Sequence, residues 1–272
     1  MGHHLRTLAV LALACSALVG AAQTGAPSHV QQTAGNSIGT ASYVQPPVSN
    51  HRFPDGQTYV YNAEWRLWTA GNATLRLDNE GSTRKVTGTA SSTGVVALLF
   101  GVNDRFEARF NSRNFCSQGI YKHTEEGFHK KDTNIRFDYA QRKAVLDERN
   151  LKNSETKHAT QDIPPCVTDV VSGIYYVASL PLQVGATYTF PLNDGNKTLD
   201  VLATVEAREQ VKTDAGTFNT LRVRTEDASG LMKTRGTAWL WYTDDASHIP
   251  VQMRARAFWG TLNFKLARIE RK

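Results

Sequence analysis

Apolar and polar residues alternate along most of the chain from residue 56 onward, with the two-residue period of half-buried β-strands. Between Tyr59 and Leu67 every second residue is apolar, while Asn62 and Glu64 fall between them. Short segments interrupt this alternation, and we interpret them as turns at 70–72, 125–127, 139–141, 193–196, 214–216 and 244–245. The pattern predicts an all-β, mainly antiparallel domain, a curved half-barrel or sandwich of roughly a dozen strands.

One segment, from Cys166 to Leu182, has the three- and four-residue apolar spacing of an amphipathic helix. Thr168 or Asp169 stands where a residue can cap the start of the helix, and Pro181 ends it. A broad apolar face on such a helix needs a partner that covers it. We therefore expect one helix packed on the curved sheet.

Two other segments give a weaker signal. The run from Val95 to Phe100 is wholly apolar, and its period fits a buried strand and a helical turn equally well, so both interpretations stay open. Residues 150–161 are polar and show no apolar period, which indicates a loop over the surface.

The first residues have the composition of a secretory signal peptide, which we place at 1–22: a short basic start, an apolar run over 8–19 and small residues at the end. Acylation of Cys15 is the less favoured alternative, because A-L-A-C only loosely follows a lipoprotein signal. Residues 23–51 are rich in Gln, Ser, Thr, Gly and Pro and predict a flexible leader. The remainder, 52–272, is predicted to form a single mostly-β domain in an exported protein of the periplasm or the outer membrane.

Two cysteines, Cys116 and Cys166, remain once the signal peptide is removed. In an oxidising compartment an even pair favours a disulfide, and closing a loop of about 50 residues would stabilise the fold by roughly 4 kcal/mol. The alternative is two buried, inert thiols.

The formal net charge is +6, with an isoelectric point near 9.2, but the basic residues are spread along the strands. This balance is a weak indication of an anionic partner such as lipid head groups, a polysaccharide or nucleic acid, and an ordinary solvated face is the favoured explanation. Dinucleotide and phosphate-loop signatures are absent from the sequence, so we expect no cofactor. No nucleic acid partner is expected.

Two groups of residues have the composition of reactive sites. His123, Glu125 and His129 would share one face of an unbroken strand, but the predicted turn at 125–127 separates the histidines, so we expect no metal site.

Asp244, Asp245 and His248 supply acid and base groups, with Ser172 or Ser247 as a conceivable nucleophile. The sequence lacks a G-x-S-x-G motif, and two aspartates before a proline also suit a hairpin turn. We therefore expect no catalytic residues and no enzyme.

Aromatic residues gather in the first and last predicted strands and in the helix. Alternation places Trp239 and Trp241 on one face of their strand, with Leu240 and Tyr242 on the other. Strands that are apolar on both faces either belong to a packed core or line a cavity. For the second case the predicted ligand-binding residues are Trp65, Tyr175, Tyr176, Trp239, Trp241 and Trp259.

Several stretches resemble the bacterial domain of unknown function 3108, over about residues 52 to 270. They are D-G-Q-T-Y-V-Y-N-A-E-W at 55–65, A-G-N-A-T-L at 70–75, K-H-T-E-E-G at 122–127, D-G-N-K at 194–197, R-E-Q-V-K-T-D-A-G-T-F at 208–218, W-L-W-Y-T-D-D-A-S-H-I-P-V-Q-M at 239–253 and F-W-G-T-L at 258–262. The resemblance implies an exported, all-β envelope domain. It carries no activity and no catalytic residues over to this chain.

The sequence favours a non-catalytic envelope protein that holds a lipid-like or other amphiphilic ligand in an apolar groove between helix and sheet. The alternative is a scaffold or interaction module that contacts an envelope protein or an anionic polymer. A hydrolase acting through Asp245 and His248 is the third hypothesis. The oligomeric state is left open.

Overall fold

In the computed structural model, the described residues are Val44, Val48 and the ranges 51–65, 68–229, 237–257 and 260–271. They contain fifteen β-strands and two α-helices. In chain order these are β1 Gln57–Trp65, β2 Trp68–Glu80, β3 Thr83–Ser92, α1 Gly94–Leu99, β4 Asn103–Asn111, β5 Ser117–Glu126, β6 His129–Asp138, β7 Lys143–Asn150, β8 Thr156–Asp162, β9 Thr168–Asp169, α2 Val170–Ala178, β10 Thr187–Asn193, β11 Thr198–Thr213, β12 Gly216–Asp227, β13 Ala238–Thr243, β14 Pro250–Ala257 and β15 Gly260–Arg271.

All the strands belong to one sheet, in the order β8 to β1 followed by β15 to β9. Strands β1 and β15 pair antiparallel in the middle, so two arms extend from them: a first arm of β1–β8 and a second arm of β9–β15. Every pairing is antiparallel except that of β9 with β10. Within the described residues β8 and β9 do not pair, so the sheet stays open, and the predicted mainly antiparallel β fold is confirmed.

Because the first arm is an antiparallel meander, its connections lie alternately at its two ends. We call one end the α1 end; it holds the end of β1, the start of β2 and the connections 93–102, 127–128 and 151–155. The opposite end is the α2 end, with the connections 81–82, 112–116, 139–142 and 163–167. The two ends differ in how far their side chains are buried.

Helix α2 lies between the two arms and is almost wholly buried. The Tyr176 ring meets Phe115 of the first arm, with centroids 5.4 Å apart, and Phe190 of the second, at 4.8 Å. The Tyr242 hydroxyl of β13 donates to the Ile174 carbonyl at 2.8 Å. The predicted packing of a helix on the sheet is therefore confirmed, and the helix is held from both sides.

The start of α2 is fixed by its cap. The Asp169 carboxylate accepts the backbone N–H groups of Val171 and Ser172, at 2.8 and 2.9 Å, so it is the N-cap that the sequence allowed. The hydroxyl of Ser117 also donates to this carboxylate, at 2.6 Å, which ties the helix to β5. The predicted disulfide between Cys116 and Cys166 is present beside this contact, with a Cα–Cα distance of 5.0 Å.

Two local predictions are wrong. Residues 70–72 lie inside β2 and do not form a turn. A Cβ on Gly71 would come within 2.0 Å of the Ser91 carbonyl oxygen, so the glycine permits close approach of β3. Residues 156–162 form strand β8 where a loop was expected; an edge strand without a buried face carries no apolar period.

The apolar run at 95–100 is resolved as helix α1, and none of its residues is buried. The predicted signal peptide, 1–22, lies outside the described residues. In the predicted leader, 23–51, Val44 is buried in the core, and the Val48 backbone N–H donates to the Ser179 carbonyl at 3.1 Å. These two residues pack against the domain.

Candidate functional site

Tyr175 and Tyr176 of α2, predicted to line a groove, are each only 1% exposed. Tyr175 lies among three other fully buried tyrosines, Tyr59, Tyr61 and Tyr242. Desolvation raises the pKa of each of these hydroxyls, so all four stay neutral at physiological pH. These rings are buried where α2 meets the sheet, and the groove proposed there stays a prediction.

Trp239 and Trp241 lie on the outer face of β13, opposite the face that packs on α2. The Trp241 indole N–H donates to Glu209, and the Arg254 guanidinium lies 5.2 Å from the centre of its ring. Arg222 of β12 pairs with Trp241 of β13 and forms an ion pair with Glu209 at 3.2 Å. These tryptophans are therefore separated by the sheet from Tyr175.

Trp65 is partly buried at the end of β1, where it pairs with Leu262. Trp259 lies outside the described residues. The structure thus brings Tyr175 and Tyr176 together, sets Trp239 and Trp241 on the other face, and gathers no single site from the predicted residues it describes.

A different group of apolar side chains was not predicted from the sequence. Eight large apolar residues are exposed in the described part of the chain, and six of them lie at the α1 end. We call this group the apolar rim; it consists of Trp68, Val95, Leu98, Leu99, Phe128 and Leu151. The most exposed members, Leu98 and Phe128, show 87% and 85% of their surface to solvent. The apolar run at 95–100 was the available signal, but period alone suggested burial for it.

Backbone hydrogen bonds hold the connections of the apolar rim together. The Thr93 N–H donates to the Ala70 carbonyl of β2 at 3.0 Å, and the Gly127 N–H donates to Gly101 at 2.7 Å. Leu151 in turn donates to the carbonyl of Lys130 at 2.9 Å. Gly127 has φ of 53° and faces the Phe100 ring, which leaves no room for a Cβ. The rim residues are thus presented by an ordered set of turns.

Basic side chains border the apolar rim. The Lys152 ammonium lies 5.1 Å from the centre of the Phe128 ring, within range of a cation–π contact. His129 and Lys130 follow Phe128 directly, and both are exposed. Lys130 forms an ion pair with Glu125 at 3.1 Å. Apolar groups and cations therefore occur side by side at this end.

Beneath the rim lies a buried carboxyl pair, Asp104 of β4 and Glu126 of β5. Desolvation raises the pKa of Asp104 to about 6, against the lowering effects of the Glu125 backbone N–H, the Glu126 side chain and His123. The Glu125 N–H donates to Asp104 at 2.9 Å. A carboxyl group that resists ionisation is thus placed where the α1 connection joins β4.

The other candidate groupings are bound up in local structure. His123 contacts Asp132 at 2.7 Å and Glu125 at 3.5 Å, while His129 lies across the turn opposite Glu126. No group of three or more His, Cys, Asp or Glu side chains able to hold a metal ion occurs among the described residues.

Asp245 accepts the Ser247 N–H at 2.8 Å and the Thr243 hydroxyl at 3.1 Å, as in the hairpin turn expected there. The His248 ring contacts the Ala178 carbonyl at the end of α2. Ser172 donates to its own helix cap, Asp169. These side chains are thus engaged in turn and cap contacts.

Within the described ranges, none of the helices has both the length and the apolar character required to span a bilayer.

Comparison with solved structures supports the fold. A β-barrel-like protein of the domain of unknown function DUF1849, from Brucella abortus, aligns with a TM-score of 0.55 at 7% identity, covering 80% of this chain and 98% of its own. A protein from Bacteroides fragilis that is described as exported and as having a YmcC-like fold aligns with a TM-score of 0.34 at 10% identity. The alignment covers 85% of this chain and 100% of that protein. A protein from Parabacteroides distasonis that is described as a lipoprotein aligns with a TM-score of 0.29 at 11% identity. The alignment covers 84% of this chain and 99% of that protein. Only the first is similar enough to bear on the fold.

Comparison at the level of sequence gives the family. No curated protein matches the chain. The sequence model of the family described as "Protein of unknown function (DUF3108)" matches residues 60–267, most of the described domain, in agreement with the resemblance noted in its motifs. The chain therefore belongs to the DUF3108 family.

Proposed function

We propose that this protein is an exported, non-catalytic envelope protein that binds a lipid-like amphiphile at its apolar rim. The observation that carries the proposal is the gathering of six of the eight exposed large apolar side chains of the described chain at one end of the first arm. Exposed apolar residues scattered singly are ordinary, whereas a cluster of them indicates a binding surface. Export rests on the signal peptide predicted at 1–22.

The rim is a better ligand site than the interface between α2 and the sheet. Tyr175 and Tyr176 are buried in that interface, so a ligand in contact with them would have to displace packed side chains. Leu98 and Phe128 are exposed to solvent, so a ligand can cover them without displacing other side chains of the protein. Removing each such side chain from water favours binding by about 1.5–3 kcal/mol.

The test has two parts. Native mass spectrometry of the protein purified from its own envelope is expected to show a co-purified lipid. Purified, delipidated protein is then titrated with a dansyl-labelled fatty acid, whose fluorescence rises on binding to an apolar surface. The variant Leu98→Ser/Phe128→Ser is expected to weaken the probe's affinity at least about tenfold, because two apolar contacts are lost.

Val184→Ser is the matched control, since Val184 is also exposed, at 54%, but precedes β10 and is not part of the rim. This control is expected to bind the probe like the parent protein. Equal loss in both variants, or no loss in the rim variant, would disprove the rim as the site.

A second candidate function is an interaction module, and the open edge of β8 favours it. Strand β8 is the last in the first arm, and most of its side chains are exposed. An unpaired edge can accept an extended segment from another chain. A pull-down from the envelope that recovers one protein in constant ratio would support this function, and recovery unchanged after deletion of residues 156–162 would oppose it.

A further inference from the structure

We propose that the apolar rim docks on the surface of an anionic lipid bilayer, with α1 and Phe128 entering the interface and Lys152 meeting head-group phosphates. This inference rests on the proposed function in taking lipid as the ligand. It adds that the lipid is met as an assembled surface and not as a single extracted molecule. The shape, polarity and charge of the rim each favour such a surface.

The shape of the rim suits a flat partner. Its residues stand at four successive places at one end of neighbouring strands: the start of β2, the α1 connection, the β5–β6 turn and the β7–β8 connection. Connections on the same end of an antiparallel meander are two strand spacings apart, about 10 Å, so the four span about 30 Å. A row of projecting tips of this length matches a surface better than it encloses a small molecule.

The polarity of the α1 connection suits the interfacial region of a bilayer. Residues 93–102 read T-G-V-V-A-L-L-F-G-V and contain no charged side chain. Helix α1 buries none of its residues in the domain, and its N-cap, Thr93, makes no side-chain cap bond. Its apolar side chains thus contribute little to the fold. Aromatic residues at the flanks, such as Trp68 and Phe128, are typical of segments at the membrane interface.

The charges at the rim favour an anionic surface. Lys152 extends over the Phe128 ring, an arrangement in which the ammonium sits beside the apolar group that would enter the lipid. Lys130, which also lies near Phe128, is paired with Glu125, and Glu155 is exposed on the same connection as Lys152. Lys152 is therefore the cation that we expect to meet the head groups. Each basic residue near an anionic membrane favours binding by about fivefold.

A second copy of this chain is the main rival occupant. Pairing of two rims about a two-fold axis would place the Lys152 side chains of both copies in one interface that has lost its water. Like charges in such a setting oppose association. A bilayer that carries negative head groups removes this repulsion, and we therefore commit to the bilayer.

The experiment is co-sedimentation of the full exported chain with vesicles of phosphatidylcholine alone and of phosphatidylcholine mixed with phosphatidylglycerol. Binding is expected on the mixed vesicles and is expected to fall as salt is raised. Leu98→Ser/Phe128→Ser is expected to lower the binding constant at least about tenfold, Lys152→Gln by about fivefold on mixed vesicles only, and Val184→Ser not at all. Circular dichroism checks the fold, and the single variant Leu98→Ser serves if the double variant is unfolded.

Three results would overturn the inference. The first is binding of the dansyl-labelled fatty acid without binding to either vesicle, which leaves the proposed function standing and removes only the bilayer. The second is vesicle binding that the rim variants do not change. The third is a dimer in solution that Leu98→Ser/Phe128→Ser disrupts, which would assign the rim to a second copy of the chain.

Discussion

The two helices of this protein lie toward opposite ends of the same strands, and they differ in what holds them. Seven of the nine residues of α2 are buried, and Asp169 caps the helix. Helix α1 has no buried residue and no side-chain cap bond. One end of the first arm therefore supplies stability, while the other exposes apolar surface that the fold itself does not use. This difference is why we propose a ligand site at the α1 end.

Two buried carboxyl groups repeat this contrast. Asp169, at the α2 end, accepts hydrogen bonds from two backbone N–H groups and from the hydroxyls of Ser117 and Ser172. Asp104, at the α1 end, lies beside a second carboxyl, Glu126, and its pKa is raised by desolvation. The first carboxylate is fully bonded and stabilises the fold, whereas ionisation of the second costs stability.

The largest effect is expected for a core residue at α2. Tyr175→Ala removes a 1%-exposed ring from the tyrosine cluster and leaves a cavity, which is expected to lower the free energy of unfolding by about 4 kcal/mol. Leu98→Ala is the matched change in α1 and is expected to stay within about 0.5 kcal/mol. Urea denaturation followed by circular dichroism measures both. Similar losses in the two helices would abolish the contrast between the ends.

Removal of the disulfide is expected to lower the free energy of unfolding by about the same amount. Cys116 and Cys166 close a loop of 50 residues at the α2 end, so the double variant to serine is expected to lose about 4 kcal/mol by the chain-entropy relation. Thermal unfolding with and without reductant gives the same comparison in the parent protein. Vesicle binding by the rim, measured below the unfolding temperature, is expected to persist in the serine variant; its loss would show that the two ends are coupled.

A smaller effect is expected at the caps. Asp169→Ala leaves two backbone N–H groups and two buried hydroxyls without an acceptor and is expected to cost about 3 kcal/mol. Thr93→Ala at the start of α1 removes no cap bond and is expected to cost less than about 0.5 kcal/mol. Denaturant titration of the two variants side by side provides the measurement. A loss of more than about 1 kcal/mol in Thr93→Ala would show that the Thr93 side chain does stabilise α1.

The α2 end could be predicted from sequence because its determinants are local or few. Pro181 and an acidic residue at the helix start mark the limits of α2, and only one cysteine pair remains after the predicted signal peptide. The structure confirms Asp169 as the cap and the bond between Cys116 and Cys166. The alternation that separates Trp241 from Tyr242 also follows from the strand period alone.

The α1 end could not be predicted in the same way, because period indicates which residues share a face but not whether anything covers that face. The run at 95–100 has the composition of a core segment, but none of its residues is buried. Gly71 looked like a turn residue, although its role is to let β3 approach, and that contact joins residues twenty apart in sequence. Strand β8 gave no signal because both its faces are polar.

The smallest expected effect tests the carboxyl group beneath the rim. The pKa of Asp104 is about 6 in the folded protein and 3.8 in the unfolded chain, so the folded state binds the proton more tightly. The resulting stability is fully present below about pH 4 and is lost as the pH rises through about 6. Asp104→Asn, which cannot ionise, is therefore expected to raise the free energy of unfolding by about 2 kcal/mol more at pH 8 than at pH 4.5. Urea titrations at the two pH values measure the difference, with Asp162→Asn at an exposed carboxylate as the control. If Asp104→Asn instead lowers the free energy of unfolding at pH 8, the Asp104 carboxylate stabilises the fold. The contrast between Asp104 and Asp169 would then be wrong.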